Sequence, residues 1–569
     1  MSTEYDFIIV GSGPAGSAVA YGLGQSAKKP KILILEAGGP NDDKNLRVDG
    51  QRWLTFMNKD MNWGYKTVPQ PQAGNRELDY SRGKGIGGSS AINFGVFTVG
   101  AKGDYDEWAR IVGDDSFNWE HAHQRIKQLE TFHPETPAGL DVSKYVAPSP
   151  TDHGVSGPLD VGFAAEWEKD LLPALDIFEK AGFPLNPDHN SGNPIGASVL
   201  ISSAHKGVRS TSGDLLSKLS DNVTIKTNST VTRVILDGKK AVGVEIDGVR
   251  YLASKEVILS AGSLDTPRIL MHSGIGPEEQ LSKYDIPTVL AAPALGKGLR
   301  DHAFTPLVYK RTPESGSGRS SFYGVANKDA ADAALEQWKI DGTGPWAKYA
   351  CEMGVGYFKF NEKFTSSPEF LALPAAEQAY LNHETVPHYE VLTHFPIHWF
   401  IPNFPDDNLD YACLLVFLYN AQTSGTVELQ SSDPSVPLLF DPKFLESEFD
   451  RKAAVESLRE VLRLAESPAF AKDTVGTIAA PAFNSTDDEL LAYWQGTISS
   501  SWHMTGTAKM GKPGDEDAVV DNDFRVVGIE GLRIADMSVV PVLASCHTQS
   551  VAYVTGLTLA EKIVKEYCL

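Results

Sequence analysis

A short apolar strand that runs directly into a glycine turn constrains this chain more than any other feature. Residues 6–10 read Asp-Phe-Ile-Ile-Val, and the turn after them opens a helix of small residues, Ala18-Val19-Ala20. In such a strand–turn–helix unit one glycine permits the tight turn, the next lets the backbone approach a pyrophosphate, and the third allows close packing of helix on strand. The turn consists of Gly11, Ser12, Gly13, Pro14, Ala15 and Gly16.

A second apolar strand supports the same interpretation. Residues 31–35 read Lys-Ile-Leu-Ile-Leu and lead into Glu36 and Ala37. A carboxylate at this distance from the turn can accept hydrogen bonds from ribose hydroxyls, and the helix N-terminus can face phosphates. Together these features predict a dinucleotide-binding site, with a purely structural glycine turn as the alternative.

Length and charge narrow the class of protein. A chain of 569 residues exceeds what one hydrophobic core usually serves, so we expect two domains that are interleaved in sequence. The 51 basic and 73 acidic residues give a net charge of −22, which repels nucleic-acid phosphates and anionic lipids. We therefore expect neither nucleic acid nor membrane as a partner.

The cysteines and the N-terminus favour an intracellular protein. The four cysteines are widely spaced and form no CxxC pair, so we predict neither a disulfide framework nor a metal site. No apolar run approaches the length of a membrane-spanning helix, and Met1-Ser2-Thr3-Glu4 leaves no room for a signal peptide before the first strand. We expect a cytoplasmic location.

Residues 82–93 form a second glycine cluster. The backbone donors there, beside Arg82 and Lys84, can wrap an anion or a flat ring edge, or the segment can be a flexible loop. Residues 104–133 are typical of an amphipathic helix, and residues 134–158 of a surface connection.

The rest of the chain alternates between two patterns. Residues 222–260 show the alternation of strands and lead into a helix at 267–272, and residues 531–536 form a strand that ends in Asp536. Residues 310–500 are aromatic and proline-punctuated, so we assign most of them to enclosing a substrate. Trp399, Phe400 and Tyr411 there can line a pocket or build a core.

Taken in order, several segments resemble the glucose-methanol-choline (GMC) oxidoreductase family over nearly the whole chain. They are the opening turn with Glu36, residues 82–93 and 104–108, residues 262–276, Leu299-Arg300-Asp301-His302, and residues 501–507. The resemblance implies an α/β fold, α+β overall. A Rossmann-like FAD-binding domain (1–155, 195–310 and 500–569) is interleaved with a substrate-binding domain (156–194 and 311–499) built on an antiparallel sheet with flanking helices.

The resemblance also implies which residues bind FAD. Residues 11–16 and Glu36 resemble the contacts to the diphosphate and the adenosine ribose, and Val231, placed in a strand, resembles the backbone contact to adenine. Asp536 resembles the acid near the ribityl and phosphate groups, with a helix cap as the alternative. The other expected FAD contacts are Ala37, Arg82, Gly88, Ser89, Asn93, Ala261, Trp502, Thr548 and Gln549.

Three departures from the family pattern concern local contacts. Some relatives attach FAD covalently through a histidine in the glycine loop, where this chain has Ile92, so we predict a dissociable flavin. Gly298 replaces the usual Asn before Leu-x-Asp-His, and Val99-Gly100 replaces the usual Arg-Gly after Asn93.

Two histidines carry the predicted chemistry. Flavin-dependent alcohol oxidation needs a base of near-neutral pKa, which histidine supplies best, and His503 resembles the general base of the family. His547 occupies the partner position, where an imidazole can hold the substrate oxygen. A helix over 549–564 would direct its N-terminus toward the flavin, which favours negative charge there.

The leading prediction is an FAD-dependent alcohol oxidase or dehydrogenase. His503 takes the hydroxyl proton of a small primary alcohol, for which an aromatic or allylic group is expected. Hydride passes to flavin N5, and O2 or another acceptor reoxidises the flavin. One alternative is a lyase or cyclase on the same scaffold without net redox, and another is an idle flavin-binding protein. Formate-oxidising relatives carry Arg at the position of His547, so a formate or aldehyde oxidase is a minor alternative.

Overall fold

The computed structural model describes residues 4–316, 328–347, 354–395 and 408–569. Its strands are β1 (Glu4–Val10), β2 (Ile32–Leu35), β3 (Glu130–His133), β4 (Leu159–Gly162), β5 (Gly196–Val199), β6 (Ala204–His205), β7 (Val208–Arg209), β8 (Val223–Lys226), β9 (Arg233–Asp237), β10 (Lys240–Ile246), β11 (Val249–Leu259), β12 (Ile275–Gly276), β13 (Leu290–Ala291), β14 (Lys297–Leu299), β15 (Ala303–Arg311), β16 (Gly354–Phe358), β17 (Tyr389–Thr393), β18 (Asp410–Leu418), β19 (Gly425–Glu428), β20 (Leu439–Asp441), β21 (Thr474–Ala479), β22 (Ser499–Ser500) and β23 (Leu532–Ile534).

The α-helices of the described residues are α1 (Pro14–Gly24), α2 (Arg52–Phe56), α3 (Lys102–Val112), α4 (Trp119–Leu129), α5 (Leu171–Lys180), α6 (Gly213–Leu216), α7 (Gly262–His272), α8 (Glu278–Lys283), α9 (Lys328–Asp341), α10 (Glu362–Thr365), α11 (Pro368–Leu371), α12 (Ala375–Asn382), α13 (Glu448–Ala465), α14 (Pro468–Ala471), α15 (Asp487–Thr497) and α16 (Gln549–Glu566).

The larger sheet joins distant parts of the chain. Its strands lie in the order β8-β2-β1-β11-β10-β9, with β23 also paired to β11. The strands β8, β2, β1, β11 and β23 pair in parallel, whereas β9, β10 and β11 form antiparallel pairs. The four residues of β2 are all buried, as expected for apolar runs in a parallel sheet covered on both faces. The α/β fold class is therefore confirmed, while the domain boundaries stay a prediction.

Small residues let α1 and α16 pack closely. A Cβ on Gly22 would lie 2.5 Å from the Cβ of Ala560, and a Cβ on Gly556 would lie 2.2 Å from the carbonyl oxygen of Ala15. Glycine at both positions removes these clashes, so the two helix axes can approach. The contact joins the N-terminal and C-terminal helices of the chain.

A second sheet is antiparallel. Its strands lie in the order β16-β17-β18-β15-β21, and β22 also pairs with β15. In the pairing of β17 with β18, Glu390 lies opposite Phe417. The residues of β16 and β17 are all buried, so this sheet is a core element as well as a support for side chains.

Most predicted elements are found with different ends. The amphipathic stretch 104–133 is mainly the two helices α3 and α4, and the predicted helix 267–272 begins earlier, at Gly262. Val231 was placed within a strand, which is wrong, because β9 begins only at Arg233. Trp399 and Phe400 lie outside the described residues. In the described part of the chain, we find no helix with the length and apolarity needed to span a membrane.

Candidate active site

One cavity of about 590 Å³ brings residues from the whole chain together. The predicted site residues that line it are Gly11, Gly13, Pro14, Ala15, Glu36, Ala37, Arg82, Gly88, Ser89, Asn93, Val231, Ala261, Trp502, His503, Asp536, His547, Thr548 and Gln549. Ser12 and Gly16 are not among the lining residues, although both were predicted to bind the cofactor. The cavity therefore joins the two glycine segments to both histidines.

Ser12 and Gly16 act behind the cavity wall. The Ser12 hydroxyl and its backbone N–H both donate to Glu36 Oε2, at 2.7 and 2.9 Å. A Cβ on Gly16 would lie 2.2 Å from the carbonyl oxygen of Gly11, so only glycine allows this approach of helix to turn. These two residues hold the turn in place.

The Glu36 carboxylate accepts hydrogen bonds from three separate loop segments. Its Oε2 receives the two bonds from Ser12, and its Oε1 accepts the backbone N–H groups of Gly38 and Gly85, each at 2.9 Å. These bonds use the acceptor positions of the carboxylate, so a ribose hydroxyl that reached Glu36 would compete with the Ser12 hydroxyl. The ribose contact stays a prediction.

The glycine end of the cavity fits an extended dinucleotide. Gly11 has φ +101° and its Cβ would lie 2.4 Å from the carbonyl oxygen of Ser260. A Cβ on Gly13 would meet only Gly88 Cα, at 3.9 Å, so the space above Gly13 is open. Helix α1 begins at the next residue, Pro14, and a helix N-terminus binds phosphate well. The residues present therefore fit the diphosphate of FAD.

Asp536 caps a short helix and also lines the cavity. Its carboxylate accepts the backbone N–H of Ser538 at 2.8 Å, at the start of the 3₁₀ helix Met537–Val539. It also accepts the Thr266 hydroxyl at 2.6 Å and the Gly262 N–H at 2.9 Å. The cap, stated above as the alternative, is thus present, and the contact to the cofactor stays a prediction.

Arg82 links the second glycine cluster to the segment that carries His503. Its Nε donates to Ser89 Oγ at 3.1 Å, and its Nη1 donates to the carbonyl oxygen of Trp502 at 2.6 Å. Trp502 has φ +62°, a left-handed conformation that is uncommon for a large side chain and is held by this bond. Strain of this kind, directly before His503, is typical of functional sites.

The contacts of His503 are consistent with a hydrogen on Nδ1. The Ser501 hydroxyl lies 2.8 Å from the carbonyl oxygen of His302 and 3.1 Å from His503 Nδ1, so when its single hydrogen is donated to the carbonyl, Ser501 accepts from His503 Nδ1–H. In that arrangement His503 Nδ1 carries a hydrogen and also faces His302 Nδ1, at 3.0 Å. The Nε2 atom of His503 is left as the basic nitrogen, and the residue lines the cavity.

His503 is held in place and kept neutral. Its backbone N–H donates to Asp301 Oδ1 at 2.7 Å. Burial, reinforced by repulsion from His547, His302 and Arg82, lowers the pKa of His503 well below its ordinary range. A neutral imidazole can accept a proton, so His503 can act as a general base, but its pKa lies below the near-neutral value expected from the sequence.

His547 lies beside His503 but is held differently. The two ring centroids are 4.8 Å apart, in an edge-to-face arrangement. His547 Nε2 lies 3.1 and 3.2 Å from the two carboxylate oxygens of Glu390, which also accept the Tyr419 hydroxyl at 2.6 Å. The structure thus brings the two predicted histidines together and gives only His547 an acidic partner among the described residues.

Glu390 was not predicted from the sequence. Asp301 and His302 belong to a family-like segment but had no predicted role. Glu390 is wholly buried on β17, in the apolar run Tyr389-Glu390-Val391-Leu392. A lone acid in such a run was a usable signal, because charged side chains are almost never fully buried unless paired. The contact itself depends on the register of β17 against β18.

Aromatic side chains form the wall around the two histidines. The centroids of Phe304 and Phe417 are 5.0 Å apart, and Phe417 lies 5.6 Å from His547. The aromatic lining residues are Phe56, Trp63, Phe94, Phe304, Phe395, Phe417 and Trp502. Tyr411, named above as a pocket or core residue, is not among the lining residues.

Comparisons with known proteins identify the family of this chain. Family models described as GMC oxidoreductase match residues 5–304 and 421–556. Pyranose dehydrogenase 3 of Leucoagaricus meleagris is 32% identical over 591 residues, which cover 99% of this chain and 93% of that protein. Patulin synthase of Aspergillus clavatus is 29% identical over 600 residues, which cover 98% of this chain and 91% of that protein.

A solved structure has the same fold throughout. A variant of the formate oxidase of Aspergillus oryzae RIB40, studied for its FAD modification, is 25% identical with a TM-score of 0.88, and the match covers 100% of this chain and 99% of that chain. The two family models match more than half of the chain, and a relative above 30% identity matches nearly all of it. The chain belongs to the GMC oxidoreductase family and is an FAD-dependent oxidoreductase.

Proposed function

We propose that this protein oxidises a primary alcohol with an aromatic or allylic group to the aldehyde, using non-covalently bound FAD. The observation that carries the proposal is His503, whose Nδ1 contacts leave Nε2 as a base in a cavity shared with His547. When bound, FAD supplies the acceptor for the hydride that leaves the alcohol carbon, and O2 or another acceptor reoxidises it. His503 Nε2 takes the hydroxyl proton, and His547 holds the oxygen.

The residues that would hold FAD lie at the glycine end of the cavity. Gly11 and Gly13 would face the diphosphate, and Ser89 and Asn93 would lie on the flavin side. Asn93 is oriented by the Arg52 guanidinium, which donates to its Oδ1, and by its own Nδ2, which donates to Gln549 Oε1 at 2.6 Å. Ile92 lines the cavity and offers no nucleophilic atom, which supports a dissociable flavin. A cytoplasmic location stays a prediction.

The aromatic wall supports the choice of substrate. A benzylic or allylic group would pack on rings such as Phe417 and Phe304, whereas a sugar would leave its hydroxyls without hydrogen-bond partners there. The formate oxidase relative makes formate worth testing, but an ionised Glu390 cancels any positive charge on His547, so the pair offers no net positive charge to hold an anionic substrate. A neutral alcohol suits this end of the cavity better.

The first experiment mixes the holoenzyme with alcohols in the absence of oxygen and follows the visible absorbance of the flavin. We expect bleaching with aromatic and allylic primary alcohols and little bleaching with glucose or formate. His503→Ala should slow reduction by about 10²- to 10⁴-fold while FAD stays bound, because a general base is lost. The control is His121→Ala, at an exposed histidine of α4.

The outcomes separate the competing functions. Bleaching by glucose but not by aromatic alcohols would overturn the substrate proposed here. Unchanged reduction in His503→Ala would remove His503 as the base. Conversion of an added cyanohydrin or polyketide without any bleaching would replace alcohol oxidation by the lyase or cyclase alternative.

A further inference from the structure

Glu390 is a buried acid that the reaction described so far does not use. Its side chain is wholly buried, and its carboxylate accepts the Tyr419 hydroxyl at 2.6 Å. Among the described residues, its ion-pair contact is with His547 alone, at 3.1 Å. A buried carboxylate is costly unless it is paired and hydrogen-bonded, so this contact calls for a charged or strongly donating partner.

The contact determines which nitrogen of the His547 ring faces Glu390 and which is left for the cavity. A carboxylate in its ionised form only accepts, so beside an ionised Glu390 the Nε2 atom of His547 carries a hydrogen that points to Glu390. The other nitrogen, Nδ1, makes no hydrogen bond to any described residue, and His547 lines the cavity. If the ring were neutral, Nδ1 and His503 Nε2 would both be acceptors, and the substrate oxygen would find no donor.

We propose that Glu390 is a positioning residue that keeps a second proton on His547, so that His547 Nδ1–H donates to the substrate oxygen while His503 Nε2 accepts the hydroxyl proton. This inference rests on the proposed function. A carboxylate within hydrogen-bond reach favours the charged imidazole. The same positive ring repels a proton from His503, whose pKa burial and its neighbours already lower. One acid thus separates the roles of two neighbouring histidines.

Other ionisable groups near His547 do not supply the negative charge. The histidines and Arg82 among them bear no negative charge; the groups are His503, His302, His189, Arg82, Tyr419, Tyr357, Cys546 and Asp104. Burial raises the pKa of Tyr357, Tyr419 and Cys546 well above the ordinary values, so these groups stay neutral. Burial also raises the pKa of Asp104, whose hydrogen bonds are with Tyr380, Ser545 and Ala101.

The first test compares wild-type holoenzyme with Glu390→Gln, which keeps an acceptor for Nε2–H but removes the charge. Flavin reduction by an aromatic alcohol is followed without oxygen from about pH 5 to about pH 9. We expect reduction to be about 10- to 100-fold slower at roughly pH 8, and the alkaline limb of the pH profile to move to lower pH. Glu390→Asp should restore part of the rate, and Glu384→Gln, at an exposed acid of the same segment, should match wild type.

The second test detects the ring protons of His547 by NMR, in the absence of substrate turnover. Holoenzyme labelled with ¹⁵N-histidine is compared with Glu390→Gln by NMR, and the His547 signals are assigned from their loss in His547→Asn. We expect a proton on both nitrogens of His547 in the wild type near neutral pH and on one nitrogen in Glu390→Gln. If no alcohol reduces the flavin, the proposed function fails while this measurement still tests Glu390. Equal slowing at every pH, or identical His547 signals in both proteins, would overturn the role of Glu390.

Discussion

The two ends of the cavity are built from different materials. The glycine end is formed by backbone, where Gly13 of the turn faces Gly88 of the second glycine cluster and Gly11 lies against Ser260. The histidine end is formed by side chains, and the partners His547 and Glu390 are 157 positions apart in the chain. One end binds through the shape and donors of a turn, and the other acts through the protonation of imidazoles.

This difference predicts which changes each end tolerates. A backbone cradle is insensitive to pH but fails when a Cβ is added, because the clash is with main-chain atoms. The side-chain end keeps its shape under conservative substitution, yet its function follows the charge of each group. Three substitutions, taken from the largest expected effect to the smallest, test this contrast.

Gly11→Ala should have the largest effect. The added Cβ would lie 2.4 Å from the carbonyl oxygen of Ser260, at φ +101°, a strain of about 3 kcal/mol. We expect FAD affinity to fall about tenfold or more, since each 1.4 kcal/mol is a factor of ten. FAD retained per chain after gel filtration measures this, and Gly39→Ala, which meets nothing within 4 Å, is the control. Full FAD retention in Gly11→Ala would contradict the role of the backbone cradle.

Asp301→Asn should have a smaller effect that depends on pH. Burial raises the pKa of Asp301 from 3.8 to about 7, so the folded protein holds this proton more tightly than the unfolded chain does. The protonated Asp301 therefore adds to the free energy of unfolding. This contribution is fully present below about pH 4 and is lost as pH rises through about 7. Asn carries no such proton, so between about pH 5 and about pH 8 the free energy of unfolding should fall less in the variant than in wild type. The difference between the two decreases should be about 1 kcal/mol or more.

Urea unfolding of the holoenzyme at these two pH values measures the difference. The backbone N–H of His503 can still donate to the amide oxygen that Asp301→Asn leaves in place, so a folded variant with bound FAD is expected. Asp488→Asn, at an exposed acid, is the matched control and should follow wild type. Equal losses of stability in wild type and Asp301→Asn would show that Asp301 does not titrate in this range.

The sequence predicted the glycine end better than the histidine end. The spacing from Gly11 to Glu36 is local, so the strand, turn and acid could be interpreted directly, and even Gly16 behaves as a packing glycine. Placing His503 and His547 together required a resemblance to a family. Glu390 could not be placed, because β17 and β18 are joined by residues 394–409, and the register that sets Glu390 opposite Phe417 is not fixed by a short turn.

Ser501→Ala should have the smallest effect of the three. The substitution removes one of two acceptors near His503 Nδ1–H, and His302 Nδ1 remains at 3.0 Å to hold the same tautomer. Loss of one hydrogen bond of this kind costs about 1 kcal/mol, so flavin reduction should slow by only about fivefold. Ser282→Ala, at an exposed serine of α8, is the control.

Combining Ser501→Ala with His302→Leu decides whether the tautomer matters. With both acceptors gone, Nδ1–H has no partner in this part of the site, and the hydrogen can move to the cavity-facing Nε2, where it blocks the base. The double variant should therefore be slower than the product of the two single effects, because neighbours that share a partner are not additive. If the two effects simply multiply, the contacts of Nδ1 do not set the tautomer, and the basic Nε2 of His503 must be maintained by the substrate itself.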